Sequence, residues 1–199
     1  MADTNLKKSD QKLNKISIID YYENGELDKV NFLMHQFFIG AIKPDLYDLL
    51  ELLSMTSDTM LIKEITMILT MFQPSFIRDL ITIYRAEEYV LIKEILLNVI
   101  ISQINIVNLP LLIEQYLKNE KYRYRIKAKL LEEEETTFLA LTNYLEMIRS
   151  ELTSEDLEWA KELLSEIDPK YYYQYASALT NMLIADLFYK IDPDKFTKK

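Results

Sequence analysis

"LIKEI" occurs twice in this chain, at Leu61–Ile65 and at Leu91–Ile95, and the copies start 30 residues apart. The likeness extends outward from both. Asp58–Met71 reads DTMLIKEITMILTM and Glu88–Ile101 reads EYVLIKEILLNVII. Apolar residues match at Met60/Val90, Leu61/Leu91, Ile62/Ile92, Ile65/Ile95, Met67/Leu97, Leu69/Val99 and Met71/Ile101. Together with the identical Lys-Glu pair, this exceeds what two unrelated amphipathic helices share. The register also runs backward: Asp28 aligns with Asp58, Val30 with Met60, Phe32 with Ile62, Phe37 with Met67 and Ile39 with Leu69.

Pro44 and Pro74 align as well, and an apolar segment follows each: DLYDLLELL (Asp45–Leu53) and SFIRDLITIY (Ser75–Tyr84). Proline suits the first turn of a helix, where its missing N–H is not needed. Each unit therefore reads as two helices, with LPLLIEQYL (Leu109–Leu117) as the second helix of the third. RIKAKLL (Arg125–Leu131) resembles LIKEILL (Leu91–Leu97) and opens a fourth unit at an offset of 34. Helix pairs recurring at such a period stack because one pair cannot bury its apolar face alone.

On these features, the paired amphipathic helices, the intervening proline and the Ile-Lys pair, residues 28–131 resemble the HEAT/armadillo-like α-solenoids. The period is shorter than is usual for that family. The resemblance implies an all-α fold: a short right-handed α-solenoid of stacked antiparallel helix pairs, about ten to twelve helices in all. The chain then reads as a single domain, 1–199, with an N-terminal cap over 1–27, repeats over 28–131 and acidic, tyrosine-rich helices over 132–199.

Composition agrees. Apolar residues make up 49% of the 199 residues, with two glycines and five prolines. So little turn material argues against a β-sandwich or a glycine-rich nucleotide fold. Ser9 or Asp10 can cap a first helix that Asn24-Gly25 ends, although ISIIDYY (Ile16–Tyr22) also has strand character. Thr153 or Ser154 caps EDLEWAKELLSEI (Glu155–Ile167). Asp168-Pro169 starts a further run, Lys170–Ile191, and Asp192-Pro193 stops it. The uncharged Ile95–Ile113 approaches the length of a membrane span. Its Asn98, Gln103, Asn105, Asn108 and Pro110 fit two buried helices joined by an Asn-rich turn better. The polar N-terminus has no apolar signal core, so the expected location is cytoplasmic, with no membrane partner.

Cysteine is absent, which removes disulfides, thiolate metal sites and a cysteine nucleophile. His35, the one histidine, sits in FLMHQFF (Phe32–Phe38) and reads as a core or boundary residue. No catalytic, metal or cofactor-binding residue is expected, and the chain reads as a non-enzyme.

Net charge is −9 but uneven: residues 130–194 hold 15 Asp/Glu and 4 Lys/Arg. EEEE (Glu132–Glu135) reads as a solvated helical surface. KYRYRIKAK (Lys121–Lys129) holds five positive residues and no negative one. Basic and aromatic residues together can hold phosphates and bases, and the resemblance implies a HEAT-like DNA glycosylase as one alternative. An acidic chain with one short basic patch fits nucleic acid poorly.

The favoured expectation is a non-catalytic protein-binding module, an acidic inhibitor or immunity protein that neutralises a basic partner such as a nuclease toxin. A scaffold or adaptor that holds a peptide or helix in its groove is the alternative. The expected partner surface draws on Glu155, Asp156, Glu158, Glu162, Tyr171, Tyr172 and Tyr175, where carboxylates adjoin the densest tyrosine cluster.

Overall fold

The computed structural model describes residues 17–191, and all regular structure within them is helical. The all-α expectation holds. Two expected helix boundaries, Ser9 or Asp10 and Asp192-Pro193, lie outside the described residues. The chain divides into two compact units, one running to Phe76 and including Ile83–Val99, the other comprising Ile77–Thr82 and the chain from Ile100 onward. The division crosses two helices rather than a linker.

In the first unit, α1 spans Ile18–Glu23, α2 Leu27–Phe38 and α3 Leu46–Met55. Ser17 decides helix over strand for ISIIDYY. Its hydroxyl accepts the Ile19 N–H at 3.1 Å, and its own N–H donates to the Asp20 carboxylate at 3.0 Å. This reciprocal box satisfies donors that a helix start leaves unpaired. The same hydroxyl donates to Asp48 of α3 at 2.8 Å, tying α1 to its neighbour. Gly25 ends α1 at φ +72°, a conformation that other residues rarely adopt. Asp45 caps α3 directly after Pro44, as the repeat reading requires.

The next proline behaves differently. Helix α4 runs unbroken from Thr59 to Ala86 and contains Pro74 in its interior. The expected break at Pro74 is not there. Ser75 follows Pro74 as Asp45 follows Pro44, yet the helix does not restart there. One buried stripe also continues through the proline in phase: Ile65, Leu69, Gln73, Phe76, Leu80 and Tyr84. Burial along that stripe outweighs the loss of one helical hydrogen bond. Pro74→Ala restores the donor and removes the ring clash, so it should stabilise the protein by about 1–3 kcal/mol. Urea denaturation checks the sign. A destabilised variant would mean that Pro74 starts a helix after all.

Helix α5 spans Val90–Ile101. The matched pairs Ile65/Ile95 and Leu69/Val99 are buried in both copies, and Ile62/Ile92 are half-buried in both. Other pairs part company: Leu61 is buried whereas Leu91 is 62% exposed. Lys63 and Glu64 lie at the surface, while Lys93 and Glu94 are half-buried.

Of the described helices, α4 is long and apolar enough to cross a membrane, with mean hydropathy 1.2 in its most apolar window. It carries Lys63, Glu64, Arg78, Asp79 and Arg85 along its length. The uncharged run Ile95–Ile113 instead breaks after Ile101, as expected, and the asparagines make the turn. Asn108 is fully buried. Its amide donates to the carbonyls of Ile100 at 3.0 Å and Gln103 at 2.7 Å, and its Oδ1 accepts the Asn105 N–H at 2.9 Å.

The second unit continues with α6 (Leu109–Lys118), α7 (Glu120–Leu130), a 3-10 turn (Leu131–Glu133), α8 (Glu134–Met147), α9 (Ser154–Glu166), α10 (Lys170–Leu179) and α11 (Leu183–Ile191). Helix α6 packs on α7, α8 and α9, and α11 packs on α8, α9 and α10. Thr153 caps α9 as expected. The expected single run from Lys170 is two helices, because Thr180 and Asn181 are weak helix formers and Glu146 accepts the Leu183 N–H that begins α11.

Candidate functional site

Helix α9 places its carboxylates against Lys118 of α6 and the basic helix α7. Asp156 is buried: Thr153 donates both its N–H and its hydroxyl to Asp156 at 2.8 Å, and Lys118 of α6 pairs with it at 2.5 Å. Burial works to raise its pKa, but the Lys118 and Thr153 hydrogen bonds together hold it below the usual carboxylate value. Glu162 takes Lys127 of α7 at 2.6 Å, and Glu166 takes the same ammonium at 2.5 Å. These hydrogen bonds hold the Lys127 pKa above its usual value. Glu155 accepts from the Trp159 indole N–H at 3.2 Å and lies 3.9 Å from Arg123. Glu158 pairs with Lys161.

Part of the basic patch is taken up by the same contacts. Arg123 is buried; its Nε donates to the Tyr116 carbonyl at 3.0 Å and its Nη2 to the Leu117 carbonyl at 3.2 Å. These carbonyls end α6, where no helical donor reaches them. The guanidinium also stacks 3.7 Å above the Trp159 ring. Tyr116 donates its hydroxyl to the Trp159 carbonyl at 2.9 Å, and burial raises its pKa. Lys129 pairs with Glu132 at 2.8 Å. Two of the five cations in the segment, Arg123 and Lys127, thus face carboxylates of α9, so the two segments that read as separate binding surfaces meet in part. The EEEE run is also drawn in: Glu134 accepts the Asp168 N–H at 3.0 Å and Glu135 the Tyr175 hydroxyl at 2.6 Å.

The tyrosines divide. Tyr172 is buried and stacks on Phe188 of α11 with centroids 4.3 Å apart; burial raises its pKa. Tyr175 is half-buried against Phe138, and its bond to Glu135 raises its pKa. Tyr171 is half-buried beneath the Lys170 ammonium, 4.6 Å from its ring. Of the seven residues expected to form one partner surface, Asp156 and Tyr172 are therefore taken into the interior. Glu155 and Glu158 keep most of their side-chain surface in water.

A different feature lies in the first unit. Helices α2 and α4 line an open groove of about 620 Å³. Helix α2 buries Val30, Met34 and Phe37 but leaves Leu27 and Phe38 largely in water. Helix α4 buries Leu61, Ile65, Ile68 and Leu69 but leaves Met60, Met67 and Met71 exposed. Leu27, Phe38, Met60 and Met67 line the groove, with Tyr22, Asn31, His35, Asp58 and Glu64 as its polar members. No lysine or arginine lines it. Asp58 is committed to capping α4, accepting the Met60 N–H at 2.8 Å. Glu64 has no cationic partner among the described residues. His35 is exposed here rather than held in the core.

The sequence reading missed this groove, although a signal was present. Leu27, Asn31, Phe38 on one helix and Met60, Glu64, Met67, Met71 on the other recur at helical spacing. Both helices therefore carry a second stripe beyond the one needed for the core. No cluster of three or more His, Cys, Asp or Glu side chains suited to a metal occurs among the described residues. No protein family, curated protein or solved structure matches this chain.

Proposed function

We propose that this chain is a non-catalytic protein-binding module whose binding site is the groove between α2 and α4. One observation carries the reading: large apolar side chains stay exposed along both walls of a concave site, with Met60 at 64% and Met67 at 49%. Exposed contiguous apolar surface rimmed by polar groups marks interaction sites. Methionines adapt their shape to a partner more readily than branched residues do. This is the scaffold or adaptor reading. Its architectural part is the HEAT-like stack of helix pairs, favoured by the shared burial of Ile65/Ile95 and Leu69/Val99 and disfavoured by the unbroken α4.

A second reading keeps the acidic inhibitor of a basic partner, such as a nuclease toxin. It rests on the exposed side chains of Glu155 (75%) and Glu158 (70%) together with the net charge of −9. Affinity capture from a lysate of the native host separates the two. Met67→Lys should release a specific partner that a Glu155→Gln/Glu158→Gln variant retains. Release by the glutamine variant alone would favour the inhibitor.

A further inference from the structure

We infer that the groove takes an amphipathic α-helix of about three turns that carries a lysine or arginine opposite Glu64. This rests on the binding reading above and adds the chemistry of the partner.

The shape of the site selects a helix. Its walls are themselves α-helices, whose interior backbone groups are already paired, so it offers no strand edge to an extended peptide. A bound helix satisfies its own backbone and needs from the groove only apolar contact. The lining on α2 runs from Leu27 to Phe38, roughly 16 Å at 1.5 Å per residue, which matches about three turns of a partner.

The charge of the site selects a base. Any ligand that fills the groove takes water away from Glu64, and a covered carboxylate without a partner is costly. No lysine or arginine lines the groove to offset it. Asp58 adds a second negative charge nearby, and the described part of the first unit holds 12 Asp/Glu against 5 Lys/Arg. A lysine or arginine on the incoming helix compensates Glu64, and an acidic one adds repulsion. The site therefore discriminates by charge as well as by fit.

The test uses the full chain and three fluorescein-labelled peptides. All share one leucine stripe on an alanine and glutamine background; they differ only in one residue beside the stripe, lysine, glutamine or glutamate. Anisotropy titrations should rank affinity lysine over glutamine over glutamate, with lysine roughly tenfold above glutamate. Glu64→Gln should collapse that ranking and Glu64→Lys should reverse it. Met60→Lys and Met67→Lys should each abolish binding of all three, with thermal unfolding unchanged because both side chains are exposed. Equal affinities for the three peptides, lost in Met67→Lys, would overturn the charge assignment while the groove reading stands. Peptide binding that survives both methionine substitutions would overturn the groove itself. A concentration-dependent dimer in sedimentation, abolished by Met67→Lys, would make a second copy of the chain the occupant and overturn the helical partner.

Discussion

Tyr172→Ala is expected to destabilise the protein by about 3–5 kcal/mol, the usual result of truncating a buried aromatic. Tyr172 is 5% exposed, stacks on Phe188 and lies edge-on to Tyr173 with centroids 5.7 Å apart. Phe188 in turn packs edge-on against Phe138, which is fully buried. Removing the Tyr172 ring therefore opens a cavity at the junction of α8, α10 and α11. Tyr172→Phe keeps the ring and should cost far less. Urea denaturation of the two variants gives the comparison. A surface role for Tyr172 in partner binding makes the opposite forecast: an unchanged unfolding midpoint with faster partner dissociation. An alanine variant within about 0.5 kcal/mol of the parent would return Tyr172 to the surface.

Arg123→Ala should cost about 2–4 kcal/mol. The substitution strands the Tyr116 and Leu117 carbonyls at the end of α6, each a buried acceptor that loses a charged donor. It also removes a cation from the face of Trp159, leaving the indole beside a void. Arg123→Lys should recover only part of the loss, because an ammonium cannot reach two carbonyls and stack at once. Trp159, the single tryptophan, reports the change by fluorescence. If Arg123 served a nucleic-acid ligand instead, alanine would leave the unfolding curve in place and weaken binding to DNA or RNA.

Both substitutions fall where sequence reading and structure part, and the reason is the same. On a helix surface, a basic-aromatic segment and an acidic-aromatic segment each look like a site for an outside partner. Lys127 and Glu162 are 35 residues apart, and nothing local says that Lys127 meets Glu162 and Glu166. Proximity of that kind comes from packing of α6 and α7 against α9. The same holds for the groove: a second apolar stripe on α2 and α4 is visible in the letters, but whether a neighbour covers it is settled only by the packing.

What the sequence determined by itself was local and periodic. Apolar spacing near 3.6 residues made every described element a helix. Thr153 set the start of α9, and Asn105 with Asn108 set the turn that divides an uncharged run of residues into α5 and α6. These follow from hydrogen bonds between residues a few positions apart, so they are written within a short window of chain. The tertiary structure alone decided which side chains are free. It ran α4 straight through Pro74 because a buried stripe on both sides outweighed a breaker. It drew Asp156 and Tyr172 inside, and it left Met60, Met67 and Glu64 in water. The free energy of a side chain depends on what covers it, and that is set by helices distant in the chain.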